Sequence, residues 1–160
     1  MQTDNLISLA HVLAASVALA SGAVVLIAPK GTRFHKRAGY IFALSLLLTN
    51  GTAALLYNLT GTVNFLHVFI VVSMFSLLYG MSAIWRGRSA RQVARHMRGM
   101  TGAAMGVWAA GVAELTVRVL PGIASPQAII WTAAGTGVAF FFLIGFLIYR
   151  FSQNLDRFSV

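Results

Sequence analysis

Residues Phe65 to Trp85 read FLHVFIVVSMFSLLYGMSAIW, a stretch without a single Asp, Glu, Lys or Arg. The hydrocarbon core of a bilayer is about 30 Å thick and takes roughly 20 apolar residues in helix, so this stretch is long enough to cross it. Four further runs of the same kind surround it, giving spans at about 6–28, 38–57, 65–85, 99–117 and 127–149. Only helices and closed barrels satisfy their own backbone hydrogen bonds in lipid, and runs this long fit helices. The expected fold is all-α: a polytopic membrane protein with five transmembrane helices in one domain, residues 1–160.

Composition agrees. Of 160 residues, 58% are hydrophobic and 9% charged, where a soluble domain carries about 25% charged residues to face water. Three acids and twelve basic residues cannot coat a soluble particle of this size. With no cysteine, thiolate catalysis, Cys-ligated zinc and iron–sulfur clusters are excluded. A net charge of +9 would point to nucleic acid in a soluble protein, but here the basic residues sit between the apolar runs. Membrane lipid is the expected partner, and nucleic acid is not.

Lysine and arginine placement sets the orientation. Lys30, Arg33, Lys36 and Arg37 follow the first span, Arg86, Arg88, Arg91, Arg95 and Arg98 follow the third, and Arg150 and Arg157 follow the fifth. These segments share one side and leave only Arg118 on the other, so the N-terminus is expected outside and the C-terminus inside. Ala18 to Ala23 (ALASGA) looks like a signal-peptide cleavage site. The leader carries Asp4 and no basic residue, however, so a retained helix is expected. The Asn58-Leu59-Thr60 sequon falls in an outer loop and carries no weight.

The four histidines form a hidden repeat. His11 and His67 lie just inside the outer ends of spans one and three, whereas His35 and His96 each lie three residues ahead of spans two and four. Spans one and two thus resemble spans three and four, which predicts a four-helix bundle of two parallel hairpin repeats plus a fifth helix. Residues 11 to 28 alone climb ~25 Å at about 1.5 Å per residue, so the histidines form two layers: His11 with His67, and His35 with His96. Facing histidines are how bundles build cofactor sites, and imidazole is an axial ligand for haem iron. Ionisable residues inside spans are rare and usually functional, which favours the outer pair. The inner pair sits in basic interfacial segments where contact with phosphate headgroups competes with ligation.

Small residues line the faces below two of the histidines: Ala14, Ala15, Ala18 and Gly22 below His11, and Gly99, Ala103, Gly106 and Ala110 beyond His96. Such stripes either pack helices closely or leave space for a flat macrocycle. Glu114, the one acid inside a span, has two readings. It pairs with Arg118 one turn later, or it joins His11 and His67 in a two-histidine, one-carboxylate metal site or binds a quinone. Met74 and Met81 read as core, Trp85, Tyr57 and Tyr149 as interfacial aromatics, and span five as a lipid-facing helix or homo-oligomer surface. Thr49 and Asn50 lack an evident partner beyond an interhelical hydrogen bond.

Lys30-Gly31, His35-Lys36-Arg37-Ala38-Gly39 and Arg95-His96-Met97-Arg98, each ahead of a long apolar helix, resemble a bacterial family of small multi-spanning membrane proteins of unassigned activity. The likeness covers roughly residues 8 to 120 and implies an inner-membrane location. More loosely, one histidine on each of four consecutive helices resembles the layout of two-haem cytochromes of the b561 type. That resemblance implies an electron-transfer protein, or a membrane oxidoreductase of cytochrome b type, with haem b on His11 and His67 and a second haem on His35 and His96. A redox partner or quinone follows from it. The alternatives are a small non-redox binding, transport or assembly protein, and a metal-dependent enzyme holding zinc or copper on His11, His67 and Glu114.

Overall fold

A computed structural model describes residues 2–56, 65–85, 87, 89–119 and 125–155. Among them the chain forms five α-helices and no strand: α1 (Gln2–Ile27), α2 (Arg33–Ala53), α3 (Phe65–Trp85), α4 (Ala90–Val119) and α5 (Pro126–Leu155). The sequon at Asn58-Leu59-Thr60, Tyr57, Arg86, Arg88 and Arg157 lie outside the described residues, as do the side chains of Arg118, Tyr149 and Arg150. The Glu114–Arg118 pairing therefore falls outside them as well.

Among the described residues two helices are long and apolar enough to cross a membrane, α1 over Asn5–Ile27 at mean hydropathy 2.1 and α3 over His67–Trp85 at 2.0. α5 holds a shorter apolar stretch, Ile130–Leu143. α2 and α4 differ because each helix begins inside a basic segment. α2 starts at Arg33, with Thr32 as its N-cap: the Thr32 Oγ1 accepts from the His35 backbone N–H at 3.1 Å. α4 starts at Ala90 behind a reciprocal cap, in which the Ser89 N–H donates to Gln92 Oε1 at 2.9 Å and the Gln92 N–H donates back to Ser89 Oγ at 3.4 Å. This corrects the expectation that His35 and His96 precede their helices. His35 lies in the first turn of α2, and His96 in the second turn of α4.

The chain divides into two compact units, residues 1–107 and 108–160, with the boundary inside α4. In the first unit α1 and α2 pack along their length, joined by a tight connection at Pro29 to Thr32. Gly31 turns the chain there with φ +80°, a conformation that glycine adopts without steric cost. Lys30 closes the C-terminus of α1, its Nζ donating to the carbonyls of Val25 at 2.7 Å and Leu26 at 2.8 Å. A cation at a helix C-terminus is where the helix dipole favours one. Phe42, fully buried, lies against Gly22, where an added Cβ would stand 3.1 Å from the ring. Ala104 of α4 lies on the same glycine.

Further along α4 the contact with α3 becomes backbone to backbone. A Cβ on Gly80 would come 2.8 Å from the Met100 nitrogen, and one on Gly99 would come 2.7 Å from the Ser76 carbonyl oxygen. Beyond it, Gly102 faces Ser76 and Gly106 faces Ser73. The small-residue stripes are thus filled by neighbouring helices, as membrane helix packing uses them. Asn50 finds its partner across the α2–α3 contact: its Nδ2 donates to Ser73 Oγ at 2.8 Å. Thr49 bonds back to the Ser45 carbonyl at 2.8 Å.

Outward faces are apolar. Leu9, Leu13 and Val17 of α1 and Val68, Val71 and Phe75 of α3 are all exposed, the reverse of a soluble domain's arrangement. In the second unit Ala113 of α4 and Ala133 of α5 are buried, while Trp131, Phe142 and Phe146 are exposed.

Candidate functional site: the His35–His96 pocket

The α3–α4 backbone contact positions the first functional side chain. Because neither Gly80 nor Gly99 carries a Cβ, α4 approaches until His96, one turn before Gly99, reaches the α3 backbone. His96 Nδ1 lies 3.0 Å from the Gly80 carbonyl oxygen and donates to it. That bond assigns the ring proton to Nδ1 and leaves Nε2 with its lone pair. A histidine ligand typically anchors its second ring nitrogen on a backbone carbonyl in this way.

His35 comes to the same place from α2. His35 and His96 line one cavity of about 60 Å³, together with Val25, Lys36, Gly39, Tyr40, Met81, Ile84 and Met100. A Cβ on Gly39, which is part of this lining, would meet nothing within 4 Å. His35 Nδ1 is buried with no hydrogen-bond partner. Burial holds the His35 pKa below the ordinary 6.5, and the nearby charge of Lys30 pushes it the same way, against a smaller opposing effect of the Val25 backbone. Neutral imidazole is the form that binds a metal. The pocket is thus lined by a second imidazole whose neutral form is favoured.

The rim is basic, and two nearby cations have partners. Lys30 is spent on the end of α1, and the Arg95 guanidinium lies 4.7 Å from the centre of the Tyr79 ring, a cation–π contact. Tyr79 in turn stacks on Phe75.

The other expected site residues are placed differently. His11 Nδ1 bonds to α2, 3.0 Å from Thr52 Oγ1 and 3.2 Å from the Thr49 carbonyl, so its ring is oriented by the hairpin it belongs to. His67 is half-buried in the first turn of α3, and its pairing with His11 stays an expectation of the sequence. Glu114 is half-buried on the part of α4 that belongs to the second unit. Among the described residues no three His, Cys, Asp or Glu side chains gather into a metal-binding group.

A tetrapyrrole is larger than the cavity at His35 and His96. A water needs roughly 10–15 Å³ by the same measure, so the cavity admits an ion and a few waters. Cofactor-sized ligands occupy pockets of about 300–1,000 Å³. On the face below His11, Ala18 is fully buried and Gly22 is covered by Phe42 and Ala104.

The described fold, all-helical with lipid-compatible faces, agrees with comparison to known families. Residues 8–148 match the family described as predicted membrane protein (DUF2306). The chain belongs to that family. The match extends beyond residue 120, to which the sequence resemblance reached, and takes in most of α5. No curated protein and no solved structure matches the chain, so the likeness to two-haem cytochromes has histidine placement as its sole basis. For this member of the DUF2306 family, sequence reading missed the Gly80 carbonyl, which has no side-chain signature. It also missed Thr52 and the Met81–Met100 wall.

Proposed function

We propose that this family member is a five-span inner-membrane protein, N-terminus outside, that binds one metal ion through His35 and His96 at its cytoplasmic face. The observation that carries the metal reading is the convergence of two imidazoles on one cavity, with the His96 proton fixed on Nδ1 by the Gly80 carbonyl. His35 and His96 would hold the ion, which supplies a Lewis-acidic or redox-active centre. The Gly80 carbonyl sets the His96 proton on Nδ1, and burial favours neutral His35. Electron carriage, expected from the histidine repeat, then requires an ion that changes valence. The size of the cavity favours an ion over haem b. The proposal does not extend to the outer layer, where His11 is oriented toward α2.

The orientation rests on the basic segments at 30–37 and 86–98. A reporter active only in the cytoplasm, fused after Val160, is expected to be active, and a silent one beside an active periplasmic reporter contradicts the topology. The site is tested by titrating the full chain in nanodiscs with zinc(II) and with copper(I). One equivalent of at least one ion is expected to bind. Loss of a partner that merely orients a ligand costs about 10–100-fold in affinity, and loss of a ligand more, so His35→Ala and His96→Ala should each exceed that range. Equal affinity in wild type and both variants sinks the proposal.

A further inference from the structure

Met81 and Met100 line the same cavity as the two imidazoles, and both are buried, at 9% and 5% exposure. Their positions follow from the elements that build the site. Met81 directly follows Gly80, whose carbonyl holds His96, and Met100 lies four residues after His96 on the same face of α4. Two histidines and two methionines thus line one ion-sized space, and the lining includes no carboxylate.

We infer that the ion bound by His35 and His96 is copper(I), with Met81 and Met100 as its thioether ligands. The inference rests on the metal-centre reading above. Magnesium and calcium take oxygen ligands, which this lining lacks apart from the Tyr40 hydroxyl. Zinc takes imidazole, thiolate and carboxylate, whereas a thioether is a soft ligand that selects copper(I). Charge points the same way. All four ligands are neutral, and Lys30 and Lys36 stand nearby, so a divalent ion would bring two uncompensated charges into a basic environment. Copper(I) brings one. Methionine as a gap-filler is the competing account of Met81 and Met100, and it predicts no dependence of metal affinity on sulfur.

The test uses the full chain in nanodiscs, with copper(I) delivered in competition with a coloured copper(I) chelator and zinc(II) as the second probe. Met81→Leu, Met100→Leu and the double variant conserve volume, so the fold is retained and is checked by thermal melting. The double variant is expected to lose copper(I) affinity by about tenfold or more, the scale on which even an outer-shell change is felt, with zinc(II) affinity unchanged. Wild-type copper(I) affinity in the double variant, alongside loss in His35→Ala and His96→Ala, overturns the copper assignment and leaves the metal centre standing. Tighter binding of zinc(II) than copper(I) by the wild type overturns it equally. If neither ion binds the wild type, both readings fall.

Discussion

Gly99→Val is expected to unfold the α3–α4 contact and abolish metal binding with it. A Cβ at position 99 points at backbone: the Ser76 carbonyl oxygen would be 2.7 Å away, and Gly80 lies closer still. Overpacking a core costs typically about 1–3 kcal/mol when side chains can rearrange. Here the obstacle is the main chain of α3, which cannot swing aside, so a cost of about 3 kcal/mol or more is expected. The displacement also removes His96 from the Gly80 carbonyl. Gly51→Ala is the control, since a Cβ there meets nothing within 4 Å and alanine favours helix by about 1 kcal/mol. Thermal melting in one detergent should show Gly99→Val far below wild type and Gly51→Ala at or above it. Equal midpoints for wild type and Gly99→Val would show that α3 and α4 do not touch at these glycines.

Ser73→Ala is expected to destabilise the protein more than Asn50→Leu, although each removes one side of the same bond. The Asn50 amide is buried, and Ser73 supplies its hydrogen-bond partner. Deleting the serine hydroxyl strands a buried amide, at about 1–3 kcal/mol. Deleting the asparagine leaves Ser73 Oγ with the Ile70 carbonyl at 3.1 Å, so only an interhelical bond is lost, and such bonds average about 0.6 kcal/mol in a membrane. The double variant should match Asn50→Leu, because the serine has no further role once the amide is gone. Unfolding free energies in mixed micelles decide it, and a larger loss for Asn50→Leu than for Ser73→Ala contradicts the pairing.

How far the sequence could be read follows from what each signal measures. Hydropathy reports the bilayer, and the five apolar runs did locate five helices. It does not report where a helix begins. The charged residues at 33–37 and 91–98 read as loop, yet Thr32 and the Ser89–Gln92 box start both helices before the apolar run. That shift moves His35 and His96 into helical turns, where their rings acquire fixed directions. The histidine repeat expects His35 and His96 at like depth, and in the structure both line one cavity. The small-residue stripes were ambiguous by nature, since a face that admits a macrocycle also admits a helix. Phe42 and the α3 backbone fill them. The Gly80 carbonyl was illegible, because every residue has one and only tertiary contact selects it.

The central claim is that His35 and His96 offer their lone-pair nitrogens to one metal ion. Nitrogen-15 NMR of histidine-labelled protein tests it most directly, because protonated, unprotonated and metal-bound ring nitrogens give separate signals. At neutral pH the metal-free protein should show His96 protonated at Nδ1. Addition of one equivalent of copper(I) should shift His96 Nε2 and one ring nitrogen of His35 together, leaving the His11 Nδ1 signal in place. A metal that binds while both rings keep their metal-free signals, or that shifts His11 first, would contradict the account.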